Sequence, residues 1–295
     1  MAKECSHHHC SHIYHATAYG VSGELLRPAQ RSIPAQATAT LAPGGGRGFD
    51  RVENFQLDGI LSFRSASTEV GGSFDDCHNI HTSYASSVIE DLNIADIVKA
   101  DKVVSRVSVY SAPENSDDES SFDITGSHFE NLRICGYPVD VKLATQEFHK
   151  HDTYSKFEHA LHAKQADHLL FLSGLSKLKD KQLQDLEGEY HALQGISKRV
   201  AGWKKRTPKS RSAMAYLCSA AGHLDLQKHV GANSEIQGFG PIICIPKFGI
   251  IRLAEVVIHK DRRQLNMLRV EMCSTGSGNI HTGGSSGGGG GTTFP

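Results

Sequence analysis

The chain has 295 residues, 39% of them hydrophobic, and its 31 Lys+Arg against 32 Asp+Glu leave a formal net charge of -1. That length is ample for a buried core in one large or two small domains, and the even charge carries no basic footprint for nucleic acid. No apolar run of about 18 residues exists, which excludes a transmembrane helix.

Residues 1–13 read as a tail containing CSHHHCSHIYH, where Cys5, His7, His8, His9, Cys10, His12 and His15 crowd together. An engineered handle rarely interleaves cysteines in this way. Thiolate and imidazole suit zinc or another transition metal, and Cys5 and Cys10 with His12 or His15 can supply ligands from one segment. The bland reading is a tail that binds metal weakly, because ordering it costs about 1–2 kcal/mol per residue. The same stretch lacks the apolar core of a signal peptide, so a cytoplasmic setting with reduced thiols is expected.

From residue 14 to about 148 the pattern predicts strand after strand. ATATL (37–41) alternates and runs into the turn PGGGRG; residues 52–68, 81–94 and 101–112 alternate apolar with polar, with Ser and Thr expected on the wet face. Such alternation marks half-buried antiparallel strands. A repeat of the form Glu-(Asn/Asp)-apolar-polar-apolar-x-(Gly/Asp) begins at Glu53, Glu90 and Glu130, with starts 37 and 40 residues apart. Its final residue can leave the strand with positive φ. A solenoid of that period is one reading, and a sandwich or barrel with recurring strands is the preferred one.

Residues 149–212 change character. Leu183, Leu186, Tyr190, Leu193, Ile196, Val200 and Trp203 trace one helical stripe, which predicts a helical insertion with its first helix capped by Asp152 or Thr153. The insertion is expected to be an excursion that covers the β-domain or another subunit without joining the core. The basic residues from Lys198 to Arg211 read as a solvated helix end. Strands return in 213–273, where IICIPKFGIIRLAEVVIH and QLNMLRVEM form the strongest hairpin signal in the chain. Residues 274–295 are glycine-rich, normally a flexible tail. Order there would require partners along a sheet edge or on other chains, so a homo-oligomer or extended assembly is expected.

AYGVSGEL, SAST (65–68), ASSVIEDLNI, SFDITGSHFENLRICGYPVDV and the closing GIIRLAEVVIH…MLRVEM hairpin resemble the choice-of-anchor P family of bacterial proteins, over about residues 16–145 and 240–273. The resemblance implies a β-rich, repeat-containing protein displayed at the cell surface or exported. It brings no catalytic residues. The absence of a sorting motif and the helical block depart from the family's pattern.

Nucleotide and acyl-transfer motifs are missing: GGGRG has no Lys-Ser/Thr after it, and GVSG is not a nucleophile elbow. Metal ligands are better stocked. DDCHNIH offers His78 and His81, and HKHD places His149 and His151 on one face if that stretch is extended, with His128 or His223 as a third ligand. Asp123, His128 and Glu130 are a weaker acid/base set. The sequence therefore supports a mainly β protein, an antiparallel sandwich or barrel with a helical insertion. Its function reads as a non-enzymatic surface, assembly or ligand-binding module. The rival is a metal-dependent hydrolase or isomerase built on His149, His151 and His128.

Overall fold

A computed structural model describes residues 11–25, 30–112, 119–190, 193–205, 215–221, 224, 226, 235–273 and 277–292. In chain order the strands begin with β1 (Ser11–Leu25), β2 (Arg31–Thr40), β3 (Gly46–Leu57), β4 (Leu61–Asp75), β5 (Ile80–Ile94) and β6 (Val98–Ser111). Four short ones follow, β7 (Ser121–Asp123), β8 (His128–Glu130), β9 (Arg133–Ile134) and β10 (Tyr137–Pro138). The helical stretch holds α1 (Thr145–Lys150), α2 (Tyr154–His162), a 3₁₀ turn Asp167–Leu169, α3 (Phe171–Leu175), α4 (Asp180–Glu189) and α5 (Ile196–Lys205). The chain then returns to β11 (Ala215–Ser219), β12 (Gln237–Phe239), β13 (Ile242–Ile245), β14 (Gly249–His259), β15 (Arg263–Cys273) and β16 (Ser277–Thr292).

With 54% strand against 19% helix the protein is mainly β, and its antiparallel sheets do not close into a barrel. The first sheet runs β12-β13-β14-β15-β16-β1-β2, with β11 on the C-terminal half of β14; the second runs β10-β9-β6-β5-β4-β3, with β7 and β8 on β6. One apolar core unites them. Ile89, Val103 and Val107 of the second sheet meet Ile251, Leu253, Leu265 and Val270 of the first, as in a sandwich.

The repeat is a unit of backbone geometry. Its second residue has positive φ in each copy, at Asn54 (52°), Asp91 (53°) and Asn131 (49°), where Asn and Asp tolerate the left-handed region better than other side chains. Its last two residues, Asp58-Gly59, Ala95-Asp96 and Cys135-Gly136, are all left-handed as well, the signature of a type I′ hairpin turn. The turns stack: the Ala95 N–H donates to Ile60 O (2.7 Å) and the Cys135 N–H to Ile97 O (2.7 Å). Neighbouring hairpins therefore share one end of the second sheet, and no solenoid results.

The left-handed second residues do more than end a pleat. Pairing lapses at Asn54 opposite Arg64, at Asp91 opposite Asp101 and at Asp101 opposite Asn131, while the register is the same on both sides of each lapse. The inward face of β5 accordingly shifts from Ser87 and Ile89 to Leu92 and Ile94. Side chains at the lapse bond across it: Arg64 Nε donates to Asp91 (2.5 Å), and Asn131 Nδ2 to Asp101 (2.6 Å). The first sheet carries a matching line, from Ala254 (φ 47°) across Met267 and position 283 to Gly20.

Three expectations are corrected. Ser83, Ser87 and Ser105 are buried, on the inner face and not on the wet one. Together with Ala16, Ala18, Ala66 and Ala85 they leave the sheets close together; a Cβ on Gly20 would lie 2.8 Å from that of Ala66. The glycine-rich segment is a strand between β15 and β1, with backbone partners on both sides in its own chain. It needs no second chain to become ordered. Lacking side chains over long stretches, it fits where β16 crosses β5 and β6. Residues 11–13, read as tail, belong to β1.

The helices divide between two cores. Thr153 caps α2, its Oγ1 accepting from Lys156 N (3.2 Å), and Phe148, Phe157, Leu161 and Leu169 join the main core. The expected stripe of Leu183, Leu186, Tyr190, Leu193, Ile196 and Val200 packs with Phe171 and Leu175 on Ile242, Cys244 and Ile250, on the outer face of the first sheet. The helical stretch is thus part excursion and part core.

Candidate functional site

The positive φ at Ala254 decides which residues of β14 face outward. In an unbroken strand Arg252 and Glu255 would lie on opposite faces. The shift at Ala254 puts both on the outer face, where Arg252 Nη1 lies 3.4 Å from Glu255 Oε1. The same line places Asn266 and Arg269 of β15, and Tyr19 and Ser22 of β1, outward together. Two rows result, read from the pairing: Glu255, Asn266, Gly284 and Tyr19 in one, and Arg252, Arg269 and Ser22 in the other.

The rows are tied by charge and hydrogen bonds. Glu271 lies 3.3 Å from Arg252 and 2.8 Å from Arg269, so it separates two arginines that face one another across β14 and β15. Tyr19 lies over Gly284, where a Cβ would meet the phenol ring at 1.9 Å, and its hydroxyl donates to Asn266 Oδ1 (2.8 Å). Burial, and then the Glu255 charge, push the Tyr19 phenol up, opposed by Arg269. Glu255 is only 3% exposed and Arg252 11%, so this is a largely desolvated ion network. Removing one partner from such a network costs about 3–5 kcal/mol.

Two concavities flank the network. A cleft of about 430 Å³ lies over the two rows, lined by Tyr19, Ser22, Glu255, Gln264, Asn266 and Arg269 with Leu217 and Val257. A chamber of about 280 Å³ lies between the helices and the sheet, lined by Leu161, Leu170, Phe171, Leu172, Ile196 and Leu217, with Trp203, Ala215, Tyr216, Arg199 and Arg252. Leu217 borders both and is 41% exposed, a large apolar side chain left open at a boundary. Arg252 sits 5.0 Å above the Phe171 ring. Behind the chamber wall Tyr216 donates to Glu158 (3.0 Å); burial first, then its bonds to Tyr154 and Glu158, raise its pKa well above the usual phenol value.

A second cluster sits at the other end of β1. The His12 and His81 rings stack at 3.9 Å with an interplanar angle of 4°, and the Tyr14 hydroxyl lies 2.8 Å from His81 Nδ1. Burial and then the neighbouring His81 push His12 down to about 4, and burial lowers His81.

A family model described as Domain of unknown function (DUF8256) matches residues 12–259. The chain belongs to this family. The DUF8256 match runs from β1 to the last residue of β14 and takes in Tyr19, the helices, Arg252 and Glu255, while β15 and β16 lie beyond it. No curated protein matches the chain, and no solved structure does.

The histidines singled out from the DUF8256 sequence are scattered. Among the described residues no group of three or more His, Cys, Asp or Glu converges as a metal site would. His12 and His81 are brought together but stacked, and lone pairs lying in two parallel ring planes do not meet at one ion about 2 Å from each nitrogen. His15 is exposed on β1, and His78 is an exposed partner of Asp75 (2.7 Å). Cys5, Cys10 and His223 lie outside the described residues. His149 is on α1 and His151 follows it, so the two are not on an extended stretch and do not share a face. His128 is engaged with Gly126 O (2.9 Å) and Glu130 (3.1 Å), while Asp123 closes a turn on Thr125. The sequence reading missed Tyr19, Arg252, Glu255, Arg269 and Glu271. The available signal was four charges set into the most apolar hairpin of the chain.

Proposed function

We propose that the protein is a non-enzymatic binding module whose ligand site is the outer face of the first sheet beneath the helical layer. The observation that supports this is the chamber: an apolar recess at the junction of two structural layers, with a few fixed polar groups converging on it, is the usual build of a small-molecule site. Its volume of about 280 Å³ suits a ligand with a one- or two-ring body. Leu217 and the Arg252–Glu255 pair lead from it to the polar cleft, so a ligand with an apolar body and a polar end has room for both. The choice-of-anchor P resemblance agrees with a role of this kind.

The test is uptake of N-phenyl-1-naphthylamine, whose emission rises in an apolar recess. Saturable uptake at about one molecule per chain is expected from the parent, and at least tenfold weaker uptake from Ala215→Trp, which fills the mouth of the chamber. Uptake that does not saturate, or that Ala215→Trp leaves unchanged, would refute the reading.

A further inference from the structure

We infer that the chamber selects an organic anion, a molecule with an apolar body and a carboxylate or similar acidic group. This rests on the binding reading above and adds the charge of the ligand to it.

The described lining of the chamber holds two guanidinium groups, Arg199 and Arg252, and no carboxylate. The rest is apolar or aromatic apart from the Tyr216 hydroxyl, which is already given to Glu158. Arg252 is held from behind by Glu255 (3.4 Å) and Glu271 (3.3 Å), which engage Nη1 and Nη2. Its Nε is buried without a hydrogen-bond partner among the described residues.

The two glutamates approach Arg252 along the sheet, while its guanidinium plane lies over Phe171 in the chamber wall. They fix its position, and 11% of the side chain stays exposed where it lines the chamber. Arg199, on α5, spends a described hydrogen bond on Gln194 O (3.2 Å), a backbone acceptor that leaves its charge in place. A carboxylate entering the chamber therefore meets two guanidinium groups beside apolar side chains, the exposed Arg199 and the largely buried Arg252. A cation would meet like charge, and a neutral ligand would offer Arg199 no counter-charge beside its apolar body. Planar, forked guanidinium groups also match carboxylate geometry better than ammonium groups do.

Trp203 lines the chamber and is the only tryptophan of the chain, so its emission reports occupancy directly. The experiment titrates the full chain with 4-phenylbutyrate and with 4-phenylbutan-1-ol, which share the apolar body and differ in charge. We expect the acid to bind at least tenfold more tightly at low salt, with the gap narrowing as salt is added. Arg199→Gln should cut the acid's affinity several-fold and leave the alcohol's unchanged. Arg252→Gln removes the partner of buried Glu255 and half-buried Glu271 and can fail to fold, so Arg199→Gln and Arg252→Lys are the variants that decide. Arg252→Lys should keep the charge, lose the forked geometry, and weaken the acid alone. Equal or tighter binding of the alcohol would overturn the inference and leave the binding reading standing. If neither compound shifts Trp203 emission saturably, both fall.

Discussion

His12 and His81 share one environment and should act together when the pH falls. Each is held below the usual imidazole value, His12 at about 4 by burial and then by His81, and His81 by burial. An unfolded histidine titrates near 6.5. Between about 6.5 and about 4 the unfolded chain therefore takes up protons that the folded stack does not, and stability falls as the pH drops through that window. Above it both states are neutral at these sites and the stack has no pH dependence. Asp75 and His78 lie nearby, and Asp75, lowered by its His78 bond, adds a loss at more acidic pH, so the comparison has to be made against a variant. His12→Phe keeps a ring on His81 and removes the titration. Urea midpoints measured at pH 7 and 4.5 should fall clearly less in His12→Phe than in the parent. Equal losses would mean that the rings do not stack in the folded protein. At the outer face, Tyr19 covers Gly284 and bonds Asn266, spanning strands that are distant in sequence. Tyr19→Leu keeps much of the cover and strands Asn266, and about 1–3 kcal/mol of stability should go with the bond in thermal melts.

The long strands are written in the sequence because their alternation is a local property. Residues 81–94 and 101–112 predict β5 and β6 to within a few residues. Residues 52–68 read as one run and prove to be two strands, because Asp58 and Gly59 form a turn inside it. The repeat was visible as an alphabet, but its meaning depended on φ at Asn54, Asp91 and Asn131, which no pattern of polarity displays. The missed outer-face cluster has the same origin. Ala254 gives no sign in the sequence that it flips the faces of β14, and without that flip Arg252 and Glu255 seem to point apart. The glycine strand was misread for the opposite reason: composition speaks of chain flexibility, whereas its neighbours β1 and β15 supply hydrogen bonds along its whole length. Its register can be tested by alternation. Gly287 pairs with buried Ala16 and so faces inward, while Gly288 pairs with exposed His15. Gly287→Val should lower stability by about 1–3 kcal/mol through overpacking, and Gly288→Val should change it by no more than about 0.5 kcal/mol. The reverse order in chemical melts would mean a strand slipped by one residue.

At the scale of the molecule, two sheets held close by small residues form a sandwich, and the helical stretch completes it in two different ways. Phe148, Phe157, Leu161 and Leu169 belong to the same core as Phe122 and Tyr216, so the first part of the stretch closes one end of the sandwich. From Phe171 to Lys205 the helices instead lie on the outside, covering Ile242, Cys244 and Ile250 and roofing the chamber. Excision therefore has two expected outcomes. Replacing residues 172–205 by a short Gly/Ser linker uncovers only those few outer side chains and opens the chamber. Such a variant should still melt in one cooperative transition, at a lower temperature, with β-type circular dichroism retained and ligand uptake lost. Replacing residues 152–206 also removes Phe157, Leu161 and Leu169, each of them a fully buried large side chain whose loss alone costs about 2–5 kcal/mol. Their combined loss matches or exceeds the 5–15 kcal/mol that stabilises an ordinary domain, so cooperative melting should vanish. If the longer excision melts cooperatively, α2 is dispensable and the main core ends at the sheets. If the shorter one fails to melt cooperatively, the outer helices are part of the folding unit and the chamber is a seam within one core.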